Sequence, residues 1–96
     1  MIQSFGDAAT EDLYNGFETA RVRRFPPEVR RAAPRKLRIM DDAPFLADLA
    51  VPPGNRLEAL GGDLRGLHSI RVNDQWRIVF RWTESGPAGV SVRDYH

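Results

Sequence analysis

Three side chains able to transfer or share protons stand together at the end of the chain, in Asp94-Tyr95-His96. An imidazole titrates near neutral pH, and a carboxylate or a phenol can exchange hydrogen bonds beside it. A polar tail without a fixed position is the other interpretation of this tripeptide. It directly follows a predicted strand, however, and a strand anchors residues that would otherwise fray.

Arg77 and Glu58 are the other candidates for chemistry. Arg77 lies on the strand face opposite the tryptophans, although a lone arginine on a strand is usually plain solvated surface. Glu58 follows Arg56 by two residues, so in an extended strand their side chains share a face. A carboxyl group there can exchange protons if its pKa is raised.

Together these residues match the needs of RNA cleavage without a metal. The 2′-hydroxyl attacks the adjacent phosphorus, which requires a base, a cation for the developing phosphorane charge, and an acid for the leaving oxygen. Arg77 can be the cation, and Tyr95 can stack on a base or bond the phosphate. Glu58, Asp94 and His96 can carry protons, and the sequence leaves open which is the base and which the acid.

Other catalytic classes find no support in the sequence. The absence of cysteine excludes disulfides, thiolate metal sites and cysteine nucleophiles. The spacing of the histidines and acids suggests no metal site, and we find neither a glycine-rich phosphate loop nor a nucleophile elbow. His68 shares its strand parity with Ile70 and Val72, which indicates a structural histidine facing the core. We therefore expect no metal and no cofactor.

A sheet in the second half of the chain must position the candidates. The sequence predicts strands over Arg56 to Leu60, around His68 to Val72, and over Val90 to Tyr95. Between the last two, one strand shows strict alternation, which is typical of a half-buried strand. Its apolar positions are Trp76, Ile78, Phe80 and Trp82, and the intervening ones are Gln75, Arg77, Val79 and Arg81.

Helices dominate the first half, after a short edge strand predicted from Ile2 to Phe5. A helix is expected from Ala8 to Phe17, and a bent helix or two short ones across residues 27–42, because Pro34 interrupts the pattern. A short helical turn is predicted from Pro44 to Ala50. The buried stripe of the second helix is predicted to contain Val29, Ala33, Leu37 and Met40. Helices followed by antiparallel strands predict one α+β domain, residues 1–96, with the helices on one sheet face.

Basic residues cluster although the net charge is only +1. Residues 21–38 hold eight bases and one acid, and thirteen of the fourteen basic residues are arginine, the side chain that forks onto phosphates. A genome rich in G and C also favours arginine. We predict RNA contacts for Arg35, Arg38, Arg56, Arg71 and Arg81. Without cysteine, a signal peptide or a long apolar run, the chain is expected in the cytoplasm and away from membranes.

Two stretches carry a resemblance to a known family. NRLEALGGD at residues 55–63 and HSIRVNDQWRI at residues 68–78 closely resemble the HigB branch of the RelE superfamily. The opening MIQSF, the length and the terminal Asp94-Tyr95-His96 agree with that branch, so the resemblance covers nearly the whole chain. SIRVNDQWR is long enough to be specific, whereas DYH would be weak alone.

The resemblance implies a RelE-like microbial ribonuclease fold, with N-terminal helices on one face of a small, mainly antiparallel sheet. It implies a toxin that cleaves messenger RNA in the ribosomal A site, on the 30S subunit, without metal. It also implies a cognate HigA-like antitoxin with a helix-turn-helix domain. The toxin would contact DNA only indirectly, through this antitoxin.

Carried over residue by residue, the catalytic arginine of the family falls on Arg77, and its terminal residues fall on Asp94, Tyr95 and His96. In some members the position of Glu58 is histidine and that of Gly61 is lysine, both linked to activity. Two further hypotheses therefore accompany the toxin: a weak or inactive relative that acts in operon autoregulation by binding the antitoxin, and a ribonuclease that needs no ribosome.

Overall fold

The strand pattern of the second half produces an antiparallel sheet of four strands. The computed structural model describes residues 1–94. The strands are β1 (Glu58–Ala59), β2 (His68–Arg71), β3 (Trp76–Thr83) and β4 (Gly86–Asp94), and they are neighbours in chain order. A turn precedes β3, in which the Asn73 side-chain oxygen accepts from the backbone N–H groups of Gln75 and Trp76 at 2.9 and 2.8 Å.

The N-terminal segment extends this sheet beside β4, where an edge strand was predicted. The Gln3 N–H donates to the Pro87 carbonyl at 2.7 Å, and the Gly6 N–H donates to that of Val90 at 2.8 Å. The pairing is parallel and is limited to a single bridge, between Phe5 and Val90. The first and last described segments of the chain therefore lie side by side at one sheet edge.

Three α-helices precede the sheet: α1 (Ala8–Asn15), α2 (Ala20–Arg23) and α3 (Pro27–Asp42). Asp7 caps α1, accepting the Thr10 N–H at 2.7 Å, and Gly16 ends it at a positive φ of 81° that glycine adopts without strain. Helix α3 is continuous through Pro34 over the predicted residues 27–42, so of the two predicted alternatives the pair of short helices is wrong. No helix within residues 1–94 combines the length and the apolarity needed to cross a bilayer.

The core lies between α3 and one face of the sheet, as the α+β prediction requires. The predicted helix stripe is fully buried, each member being 0% exposed: Val29, Ala33, Leu37 and Met40. It belongs to one apolar cluster with the inward residues of the strands: Ile70, Ile78, Phe80, Val90 and Val92. Hydrophobic burial therefore fixes which sheet face the helices cover, and the opposite face is left for function.

The segment between α3 and β2 corrects one prediction. Two 3-10 turns, Leu46–Ala50 and Pro53–Asn55, lead to Arg56, whose φ of 47° lies in the left-handed region. An extended strand cannot include that conformation. The strand therefore contains only Glu58 and Ala59, and the prediction that Arg56 and Glu58 share a strand face is wrong.

Asn55 fastens this segment to α3. Its Nδ2 donates to the carbonyls of Leu49 and Val51 at 3.3 and 3.2 Å, and its Oδ1 accepts from Lys36 Nζ at 2.5 Å. Burial of Lys36, and then the charge of Arg71, lower the pKa of its ammonium group. Asn55 itself is 1% exposed, and its bond to the Leu49 carbonyl is buried, whereas those to Val51 and Lys36 are part-buried.

Candidate active site

Arg77 lies on the sheet face opposite the helices and is held from two sides. Its Nη1 donates to Ser69 Oγ of β2 at 3.1 Å, and its Nη2 lies 3.4 Å from Glu58 Oε1 of β1. The Arg77 side chain is 14% exposed and that of Glu58 47% exposed. A guanidinium held this way has a fixed direction and still borders solvent, as a group that stabilises charge on a substrate must.

Two rows of side chains cross the strands on this face. The pairing register places Arg71 opposite Arg77, and Arg77 opposite Arg93. Two residues away along each strand, on the same face, Ser69 is opposite Val79, and Val79 is opposite Ser91. The second row is buried, at 0%, 1% and 5% exposure. The arginine row therefore borders a buried row of two serines and a valine.

Two arginines of this row form ion pairs with carboxylates of the described residues. Arg71 forms an ion pair with Asp74, which is 96% exposed, and Arg77 forms the one with Glu58. Like charges directly opposite each other on neighbouring strands are destabilising. Three arginines in register thus create a cationic face. Their side chains repel one another, and an anionic ligand would reduce this repulsion.

Arg93 is attached to a chain of hydrogen bonds that ends at α1. Its Nε donates to Ser91 Oγ at 3.3 Å, and Ser91 Oγ donates to Asp7 Oδ2 at 2.6 Å. Burial alone would raise the pKa of Asp7, but hydrogen bonds from Ser91 and Thr10 and the charge of Arg93 together lower it. The cap of α1 thus also supports the outer strand of the cationic face.

The predicted catalytic residues divide into two groups. Glu58 and Arg77 are in contact, as described above. Asp94 pairs with Trp76 of β3, and strand alternation puts it on the sheet face that packs against the core. It accepts a hydrogen bond from Gln75 Nε2 at 3.0 Å. Tyr95 and His96 lie outside the described residues, so their predicted roles stay predictions.

The predicted RNA-binding arginines do not form one surface. Arg71 belongs to the cationic row, and Arg56 lies in the turn before β1. Arg81 is exposed, beyond a bulge at which Gly89 of β4 has a positive φ of 61°. Arg35 and Arg38 are exposed on α3, in the helix layer.

Sequence reasoning missed Arg93 and its support by Ser91 and Asp7. Alternation along the predicted last strand could have placed Arg93 on the face opposite Val92, but only the register with β3 brings it beside Arg77. A signal was present, since the antiparallel pairing of two predicted strands brings their polar positions into register.

His68 has the structural position that its parity predicted. Its ring stacks on Phe80, with centroids 6.1 Å apart, and it pairs in register with that buried residue. Within residues 1–94, its Nδ1 is buried without a hydrogen-bond partner. In the same part of the chain, histidines and acids form no group of three close enough to hold a metal ion.

Comparison with known proteins agrees with this arrangement. Residues 3–96 match a family model described as the RelE-like toxin of type II toxin–antitoxin system HigB. The toxin HigB-1 of Vibrio cholerae is 41% identical over 95 residues, covering 99% of this chain and 94% of the relative. An uncharacterised Haemophilus influenzae protein is 32% identical over 59 residues, covering 62% of this chain and 58% of that protein.

A solved structure shares the fold at much lower sequence similarity. The YoeB–YefM complex from Staphylococcus aureus contains a chain that aligns with a TM-score of 0.55 and 15% identity, covering 100% of this chain and 98% of that one. At this identity the similarity shows the fold alone, and it confirms the predicted RelE-like architecture.

Proposed function

The chain belongs to the HigB-like family of RelE-like toxins of type II toxin–antitoxin systems, and we propose that it is a metal-independent endoribonuclease. Its substrate is messenger RNA on the ribosome, in the A site of the 30S subunit. Cleavage there stops translation and growth. As ribosomes are its place of action, the cytoplasm is its compartment.

One observation carries this proposal. Arg77 is fixed by Ser69 and Glu58 on an arginine-lined sheet face, and the family resemblance implies that the catalytic arginine falls at this position. Preorganised donors directed at developing negative charge commonly make the largest single contribution to catalysis. The contact with Glu58 adds a proton-accepting group beside that cation.

Each group then has a defined task in the reaction. Glu58, whose carboxyl group faces Arg77, accepts the proton of the ribose 2′-hydroxyl while the 2′-oxygen forms a bond to phosphorus. Arg77 stabilises the charge that accumulates on the phosphorane oxygens. The bond from phosphorus to the 5′-oxygen breaks, and that oxygen takes a proton from a group of the terminal tripeptide, for which His96 is our choice. The products are a cyclic 2′,3′-phosphate and a 5′-hydroxyl.

An antitoxin is the protein partner that follows from family membership. The related fold of S. aureus YoeB was solved in a complex with YefM. For this chain we propose a HigA-like partner with a helix-turn-helix domain, so that contact with operator DNA is made through the antitoxin. Binding would inhibit the nuclease and repress the operon.

A catalytically weak relative is the second candidate, and one observation favours it. Glu58 occupies a position at which some members have histidine, and its carboxylate neutralises part of the charge of Arg77. In that case the chain would act mainly by binding the antitoxin in autoregulation.

Induction of the protein in cells without its antitoxin separates the two functions. The nuclease hypothesis predicts growth arrest and shortened half-lives of messenger RNA. Growth should recover when the antitoxin is co-expressed. Arg77→Ala, produced at the same soluble level, is the matched control and should allow growth. Normal growth with abundant wild-type protein would favour the binding function, and cleavage of RNA without ribosomes would remove the ribosome from the proposal.

A further inference from the structure

We propose that Arg93 forms a second phosphate-binding site of this face, which holds the phosphodiester next to the scissile one in a single RNA strand. The inference rests on the proposed function for the identity of its ligand. Arg93 is assigned to binding and positioning, and Arg77 remains the residue at the reacting phosphate.

The first argument is placement. Arg77 and Arg93 are opposite each other on neighbouring antiparallel strands, where Cα atoms lie about 4.5–5.5 Å apart. Two guanidinium groups so close repel each other; within residues 1–94 Arg93 forms no direct ion pair, and the Asp7 carboxylate is linked to it only through Ser91. A polyanion that places consecutive phosphates along the row supplies the missing negative charge.

The second argument is the matching support under each arginine. Ser69 accepts from Arg77 and Ser91 accepts from Arg93, and both serines are buried on either side of Val79. A guanidinium carries five donors, and Ser91 uses only the Nε–H of Arg93. The two Nη groups keep the planar fork that binds phosphate with two hydrogen bonds.

The third argument is the cost of ordering. A surface arginine loses side-chain entropy when it is held in one conformation. Here the holding chain continues from Ser91 to Asp7, whose other oxygen caps α1. The guanidinium is thus oriented before any ligand arrives, which lowers the entropic penalty of binding.

A binding site separate from the reacting phosphate predicts a specific kinetic pattern. Contacts that are equal in the ground state and the transition state lower KM without changing kcat. Arg93→Ala should therefore raise KM for messenger RNA about tenfold with kcat nearly unchanged. Arg77→Ala should instead lower kcat. Ser91→Ala, which leaves Arg93 in place without its tether, should show a smaller rise in KM.

Binding of an uncleavable RNA hexamer, fully 2′-O-methylated, tests the site directly by fluorescence anisotropy at several salt concentrations. Each phosphate contact with a single strand contributes about 0.7 to the slope of log affinity against log salt. Arg93→Ala should reduce the slope by about that amount, and Arg93→Lys should retain most of it. Arg31→Ala, which removes an exposed arginine of α3, is the matched control and should behave like the wild type.

Two results would overturn the inference: an Arg93→Ala slope equal to that of Arg31→Ala, or no detectable hexamer binding by the wild type at low salt. The proposed function fails differently. If the hexamer binds with the predicted slope change but wild-type protein never cleaves messenger RNA on ribosomes, the phosphate site stands and the nuclease assignment is wrong.

Discussion

Arg77 and Glu58 form an ion pair that spans a whole strand, because Glu58 lies on β1, Arg77 on β3, and Ser69 of the intervening β2 bonds the same guanidinium. The edge strand β1 contains only two residues, and this contact joins its carboxylate to the central cation. A proton acceptor and a charge-stabilising group are thereby placed together. The sheet register, together with the left-handed turn at Arg56, produces this relationship.

Glu58→Gln should lower the cleavage rate roughly 10²-fold, which is within the range for loss of a general base. The amide can still accept a hydrogen bond from Arg77, so the fold and RNA binding should persist. Single-turnover cleavage on programmed ribosomes measures the effect. Glu58→His, which introduces the residue found in some relatives, should keep activity. Wild-type rates in Glu58→Gln would remove Glu58 from the mechanism.

Asn55→Ala should reduce the free energy of unfolding by about 1–3 kcal/mol, because it leaves the buried Leu49 carbonyl, the part-buried Val51 carbonyl and the Lys36 ammonium without their partner. Asn15→Ala, at an exposed position of α1, is the matched control and should cost much less. Urea titrations of both variants give the comparison. Equal losses would show that the Asn55 bonds contribute little.

Side-chain periodicity predicted the layers of the fold from local sequence. The stripe from Val29 to Met40 and the alternation from Trp76 to Trp82 each bury one face, and burial is what pairs α3 with the sheet. Pro34 suggested a break because it removes a helix hydrogen bond. The buried stripe on both sides of it keeps the helix continuous.

The site was predicted less completely because it depends on which residues of different strands face each other. Arg77 was identified from its strand face together with the family resemblance, whereas Arg93 became visible only through its register with Arg77. Arg56 was misplaced because its left-handed backbone follows Pro53, Gly54 and Asn55, and strand alternation takes no account of such a turn. The register between strands depends on residues far apart in the sequence, and a positive φ depends on local conformation. Composition and spacing specify neither property.

Asp7→Asn should make the free energy of unfolding less dependent on pH in the acidic range. The folded-state pKa of Asp7 is below that of the unfolded chain, so its stabilisation is complete above about pH 4 and is lost as the pH falls through the folded-state pKa. Asparagine retains the helix cap, whereas Asp7→Ala should cost about 1 kcal/mol in addition. Unfolding free energies between about pH 7 and about pH 2 test this. A wild-type advantage over Asp7→Asn that stays constant throughout would contradict it.

His96→Ala should lower cleavage by roughly 10²-fold and flatten one limb of the pH–rate profile in the neutral range, if the imidazole is the proton donor. Tyr95→Phe retains ring stacking and removes only the hydroxyl, so a small effect there beside a large effect in Tyr95→Ala would assign Tyr95 to base stacking. Full activity of His96→Ala with both limbs intact would leave Asp94 or Glu58 as the proton carrier.

The rate of messenger RNA cleavage on purified ribosomes by Arg77→Ala, compared with the wild type and with Arg31→Ala, tests the central claim most directly. Loss of a donor directed at the phosphorane should lower the rate roughly 10²–10³-fold in Arg77→Ala alone, with the folded state retained by circular dichroism. Arg31→Ala should cleave at the wild-type rate. Equal cleavage by all three proteins would contradict the assignment of this sheet face as the active site.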